Sequence, residues 1–238
     1  MTLARAKTAV ARFGCFALVS IVLLGILAPS SARAYTWNNV RVVAGGFITG
    51  IVYHPSAQNL VYARTDIGGL YRSTDGGNTW IPLLDWVGWD NWGYSGVLSV
   101  AVDPQSLNTV YAAVGGYTNA WDPNNGAILK STDQGATWSI APLPFKVGGN
   151  MPGRGNGERL AVDPVNTNIV YFGATGDDAG TFGLWKSTDG GASWFQVPTF
   201  TAVGDWVEDV TDPFGYLDNM QGIWWVLFDP SIGVGGVT

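Results

Sequence analysis

Residues 73–80 read STDGGNTW, and the pattern returns as STDQGATW from Ser131 and STDGGASW from Ser187, at spacings of 58 and 56 residues. Each copy follows a short apolar run: GLYRS, AILKS and GLWKS in turn. Upstream stand NLVYA, NTVYAA and NIVYFG, and before those IVYHP, SVAVDP and LAVDP. A fourth unit opens with WVLFDP at Trp225. Each unit therefore reads as four short strands with turn residues between them. Four-stranded units recurring at a near-constant period indicate β-propeller blades. The expected fold is all-β: antiparallel four-stranded blades, three of them plus the start of a fourth.

The repeated turn, Ser-x-Asp-x-Gly-x-x-Trp, is the Asp-box motif. Its Ser and Asp can bond backbone amides between the third and fourth strands, glycine admits the turn's dihedrals, and Trp packs between sheets. Because it accompanies every blade, Asp75, Asp133 and Asp189 are expected to be structural. A second Thr-Asp pair, in ARTDIGG, precedes the first box. Its Asp66 lies seven residues before Ser73, and the same offset in the other units gives Asn124 and Gly180. The blade scaffold thus does not require an acid there. Successive turns of an antiparallel meander alternate between the two ends of the sheet, so Asp66 and Asp75 belong to opposite faces. Asp75 ties a turn, and Asp66 is the candidate for chemistry.

Composition narrows the chemistry. Arg5, Lys7 and Arg12 precede the apolar run Phe13–Leu27, which is followed by Ala32-Arg33-Ala34. That is the layout of a secretory signal peptide, and the run is shorter than the roughly 20 residues of a membrane span. Residues 1–34 are read as a leader and 35–238 as the partial propeller domain, with a secreted destination. Beyond the leader, 8 of the 12 basic residues remain against all 18 acids. So acidic a chain does not attract phosphate backbones, and nucleic acid is not an expected partner. The single cysteine, Cys15, falls in the leader, which excludes a disulfide, a thiol nucleophile or a cysteine–metal site beyond it. With His54 the only histidine, a His-based metal site or a Ser-His-Asp triad has no supply of ligands, and His54, at a strand end, reads as structural. No metal or cofactor is expected.

The connections that share Asp66's end are long and aromatic. IPLLDWVGWDNWGYSG carries Trp86, Trp89, Trp92 and Tyr94; GGYTNAWDPNNG adds Tyr117 and Trp121; APLPFKVGGNMPGRGNGER adds Arg154 and Glu158. Sugar rings offer apolar C–H faces rimmed by hydroxyls, matched by aromatic platforms and by amides or carboxylates respectively. These eight residues are the candidate substrate-binding set, against the alternative that the tryptophans fill gaps between blades.

ARTDIGGLYR, LLDWVGWDNWGYSG, YTNAWDPNNGAILKSTDQGATW and GNMPGRGNGERLAVDP resemble the first propeller of glycoside hydrolase family 74, the xyloglucanases, from about Tyr35 to Phe200. The resemblance implies two seven-bladed propellers facing across a cleft. It further implies inverting cleavage of the β-1,4-glucan backbone of xyloglucan by two aspartates, one from each propeller. The base would be Asp66; the acid would belong to the second propeller, which lies beyond this sequence. Two other readings are weighed beside it. A sialidase would need clustered arginines, whereas residues 35–238 hold five, two of them in or near blade strands. A non-catalytic binding propeller would lack an aspartate in the cleft-facing turns of any second propeller. Without the second carboxyl, residues 35–238 expressed alone are expected to release no reducing sugar from xyloglucan above background. Clear turnover abolished by Asp66→Asn would place a second acid within this chain.

Overall fold

A computed structural model describes residues 45–174, 176, 183–201, 206–207, 210–211, 219–220 and 222–229. The expected leader, residues 1–34, and Gly180 lie outside these. Three four-stranded antiparallel meanders follow one another. The first is β1 (Ile48–Tyr53), β2 (Val61–Thr65), β3 (Leu70–Ser73) and β4 (Ile81–Pro82). The second is β5 (Val97–Val102), β6 (Val110–Val114), β7 (Ala127–Ser131) and β8 (Ser139–Pro142). The third is β9 (Leu160–Val162), β10 (Val170–Ala174), β11 (Gly183–Ser187) and β12 (Phe195–Gln196). A 3₁₀ segment, Trp89–Ser95, lies in the connection between the first two sheets.

The middle sheet shows why its sequence is so evenly apolar. Side chains alternate faces along a strand, and here both faces are buried. Val110, Ala112 and Val114 of β6 pack with Leu60, Tyr62, Leu70 and Leu84 of the first blade. Tyr111 and Ala113 turn the other way, into a cluster with Phe145, Val170 and Phe172. Phe145 and Phe172 stack with ring centroids 6.3 Å apart. Leu129 and Ile128 of β7 divide between the same two clusters. A side chain of this size contributes about 1.5–3 kcal/mol when fully buried, so two such layers hold the blades face to face. The first strands meet as well, with β5 against both β1 and β9.

The three repeated turns are alike in their bonding. In the first, the Ser73 hydroxyl donates to Asp75 Oδ1 at 2.7 Å and accepts from the Gly77 amide at 2.8 Å, while Asp75 accepts from the Thr79 amide and hydroxyl. Asp133 and Asp189 repeat this with Thr137 and Ser193. Position 134 departs from the others: Gln134 takes φ 60° where Gly76 and Gly190 stand in the other boxes. Trp138 departs too, donating to the Leu83 carbonyl of the preceding connection, whereas Trp80 and Trp194 close their own turns. His54 is structural. Its Nδ1 accepts the Ser56 amide, so Nε2–H donates toward the carbonyls of Asp103 and Ser106 in the next blade.

The fourth unit does not form a four-stranded sheet among the described residues. Two short strands, β13 (Trp206–Val207) and β14 (Asn219–Met220), pair with each other. The segment 222–229 runs beside the third sheet, where the Ile223 amide donates to Ala174 O and the Val226 amide to Glu158 O.

The Asp-box carboxylates carry a pH signature. The Thr79 amide and hydroxyl and the Ser73 hydroxyl hold Asp75 down to about 2 from an ordinary 3.8. Its contribution to stability is therefore full above about pH 4 and is lost as pH falls through 2. Asp75→Asn is expected to melt below wild type at pH 7, with the gap shrinking between pH 4 and pH 2. A gap that stays constant with pH would show that the charge contributes nothing.

Candidate active site

The meander places the β2–β3 turn, holding Asp66, at the end away from the Asp-box turns. Four connections converge there through backbone hydrogen bonds. The Gly69 amide donates to Ser95 O, Gly115 to Gly96 O, Gly149 to Gly115 O and Asn150 to Gly116 O, all within 2.7–2.9 Å. The end is thus knit blade to blade by main chain, which fixes the side chains it carries.

Thr65 closes the turn by accepting the Gly68 amide and donating to Gly69 O, both at 2.8 Å. Gly68 must be glycine, because a Cβ there would lie 1.8 Å from Gly45 O. This approach brings residues 45–47 alongside, and the Phe47 amide donates to Asp66 Oδ1 at 2.8 Å. Asp66 Oδ2 faces Arg154 Nε at 3.4 Å. That nitrogen makes no hydrogen bond, so the contact is a charge pairing without directional bonding. Asp66 is 7% exposed, and its carboxylate is held at one oxygen and charge-compensated at the other. A carboxylate so arranged keeps a lone pair on Oδ2 for a proton of a bound water.

An open groove of about 390 Å³ begins at Ile67 and Gly68 and is walled by Asp85, Trp89 and Trp92. Trp89 is 86% exposed, and Trp86 and Trp121 are about half exposed. Trp92, Tyr117 and Trp121 form a chain of tilted rings with centroids 6.0 and 4.8 Å apart. The Tyr117 hydroxyl accepts from Asn150 Nδ2 at 2.7 Å. Tyr94 points the other way and packs on the core between the first two blades, where burial raises its phenol. Tyr71, whose hydroxyl donates to Gly68 O beneath the groove, is raised by burial and then by Asp85. Both stay neutral phenols at physiological pH.

Glu158 stands apart from the groove. Its Oε1 accepts Arg64 Nε at 2.7 Å, and its Oε2 accepts the Ser99 hydroxyl and the Val100 amide. Both oxygens are engaged inside the protein, so the structure ties Glu158 to the scaffold. The second blade does hold an acid in the turn equivalent to Asp66's, namely Asp122, but it is buried and caps the Asn124 amide. Asp85, Asn150 and the Phe47 amide are site groups that the sequence reading did not single out. Asp85 sat within the aromatic loop and was legible; the Phe47 amide carries no sequence signal at all. Among the described residues no three His, Asp, Glu or Cys side chains cluster as metal ligands.

The chain is 52% identical to a xyloglucanase of Hypocrea jecorina over 226 residues, which is 92% of this chain and 26% of that protein. It is 52% identical to a xyloglucanase of Paenibacillus sp. over 207 residues, covering 87% of this chain and 19% of the relative. The chain matches a fragment of the family 74 glycoside hydrolases. The GH74 xyloglucanase from Xanthomonas campestris superposes with a TM-score of 0.72 at 40% identity, over 86% of this chain and 28% of that one. The GH74 enzyme of Niastella koreensis gives 0.67 at 41% identity, over 84% and 26%. No protein-family model matches the chain. The chain thus spans about a fifth to a quarter of the length of the two xyloglucanases named first, and the expected all-β, four-stranded blade architecture is the one observed.

The exposed rings separate from the packed ones by experiment. Trp89→Ala and Trp121→Ala are expected to leave the melting temperature nearly unchanged in scanning calorimetry, since both rings stand largely in solvent. A melting drop of many degrees in both would make them packing residues.

Proposed function

We propose that this chain is the base-carrying part of a secreted inverting glycoside hydrolase that cleaves the β-1,4-glucan backbone of xyloglucan. The observation that carries the reading is Asp66, held by the Phe47 amide beside Arg154 next to an aromatic groove. Asp66 takes a proton from a water below the sugar ring, and the water attacks the anomeric carbon. The glycosidic bond breaks as an acid across the cleft protonates the leaving oxygen. In an inverting enzyme the two carboxyls stand roughly 6.5–9.5 Å apart to admit that water. A cleft between two propellers sets such a gap, and the acid would come from the second one. The glucan lies along the rings of Trp89, Trp92 and Trp121, with hydroxyls reaching Asp85 and Arg154. Neither proton transfer calls for a metal or an organic cofactor.

In the full-length enzyme, Asp66→Asn is expected to lower kcat on xyloglucan by at least ~10²–10⁴ with little change in KM, because the amide keeps the turn's shape. Asp75→Asn is expected to lower thermal stability and leave kcat of the folded protein intact. The reverse pattern in steady-state kinetics and melting would overturn the assignment.

A further inference from the structure

The most heavily bonded side chain near Asp66 does not touch the groove. Arg64 lies two residues upstream on β2, is 1% exposed, and spends its guanidinium on four acceptors. Nε donates to Glu158 Oε1 at 2.7 Å, Nη1 to Thr49 Oγ1 and Arg154 O, both at 2.7 Å, and Nη2 to Gly157 O at 3.2 Å. Arg154 is the residue whose Nε faces Asp66 Oδ2. One buried cation therefore grips the backbone of the residue that pairs with the carboxylate.

Three observations set this apart from scaffold packing. First, the blade does not require it. Aligning VYART with VYAAV and VYFGA puts Ala113 and Gly173 where Arg64 stands, so the guanidinium, like Asp66, occurs in one blade of the three. Second, the innermost strands are shaped around its partner. Register shifts occur at Ile48/Gly50 in β1 and at Val97/Ser99 in β5. Bulges of this kind concentrate beside active sites. A Cβ on Gly50 would lie 2.5 Å from Arg64 Nε and 2.7 Å from Glu158 Oε1, while Ser99 donates to Glu158 Oε2 at 2.8 Å. Third, the charge is costly. Burial, followed by the Arg64 charge, lowers the neighbouring Arg159 to about 10, so two buried guanidinium groups repel across Glu158. An apolar residue would fill the site without that penalty.

We propose that Arg64 and Glu158 are a positioning pair for the base: they lock residues 153–158 so that Arg154 stays opposite Asp66 Oδ2. This rests on the reading of Asp66 as the base. Arg64 acts through Arg154 and does not meet substrate. Glu158 compensates the buried charge and, through Ser99, ties the lock to the second blade, since Ser99 Oγ also accepts the amides of Arg159 and Leu160.

The test is a kinetic cycle in the full-length enzyme with xyloglucan as substrate. Arg64→Met is expected to lower kcat by about 10²-fold, the scale of a small misplacement at a reacting group. Gly50→Ala, which presses a methyl onto the pair without removing a charge, is expected to shift kcat in the same direction and serves if Arg64→Met does not fold. The double variant Arg64→Met/Arg154→Met is expected to lose no more than Arg154→Met alone, because both act through one contact. Losses that multiply in the double variant would overturn the proposal, as would a lowered melting temperature with unchanged kcat in the folded fraction. If Asp66→Asn abolishes turnover while Arg64→Met and Gly50→Ala do not reduce it, only the positioning role falls. If Asp66→Asn retains turnover, the reading of the base falls and the pair's role with it.

Discussion

Burial of the middle sheet on both faces is the constraint on which the loop-rich end depends. Because β6 sends alternate residues into two separate apolar layers, it cannot slip its pairing with β5 and β7 by one residue without exchanging the side chains of the two layers. That registration puts the ends of β2, β4, β6 and β8 side by side, close enough for the connections to hydrogen-bond across blades. The groove and Asp66 sit on this main-chain platform. The loops are long, yet their bases are as fixed as the sheets.

The two ends of the blades use carboxylates in opposite ways. At one end Asp75, Asp133 and Asp189 each collect hydroxyls and amides at both oxygens, and all are held down to about 2. A carboxylate held that low is a weak base. At the other, Asp66 receives one amide and faces a guanidinium nitrogen, Arg154 Nε, that makes no hydrogen bond. A general base needs an oxygen with an open lone pair, and Asp66 Oδ2 keeps one. Glu158 belongs with the first kind despite its place near Asp66, since each of its oxygens is bonded within the protein.

Much of the fold was legible because its cause is local and repeated. A turn that needs Ser, Asp and Gly at fixed offsets writes those residues into each copy, and the strands between them alternate or run apolar according to which faces are covered. The same repetition exposed Asp66, as an acid at an offset where the other copies have Asn124 and Gly180. The aromatic loops were legible as a set but not ring by ring: Trp89 stands in solvent while Tyr94, five residues on, joins the core. WVLFDP has the pattern of a first strand, and its described residues run alongside the third blade, as β5 runs beside β1 and β9 beside β5.

The sequence by itself determined the class of fold, the blade boundaries, the structural office of the three box aspartates and the singularity of Asp66. Each follows from periodicity or from a residue type that one local geometry demands. Only the tertiary structure decided what surrounds Asp66. Phe47 comes from the segment before β1, Arg64 from β2, and Arg154 and Glu158 from the connection between β8 and β9, with Arg64 and Glu158 standing 94 residues apart in the sequence. No local rule links them, because they meet only once blades packed through their apolar faces bring distant main-chain ends together. A backbone amide such as that of Phe47 leaves no mark on residue choice, and a buried guanidinium shows its partners only in three dimensions.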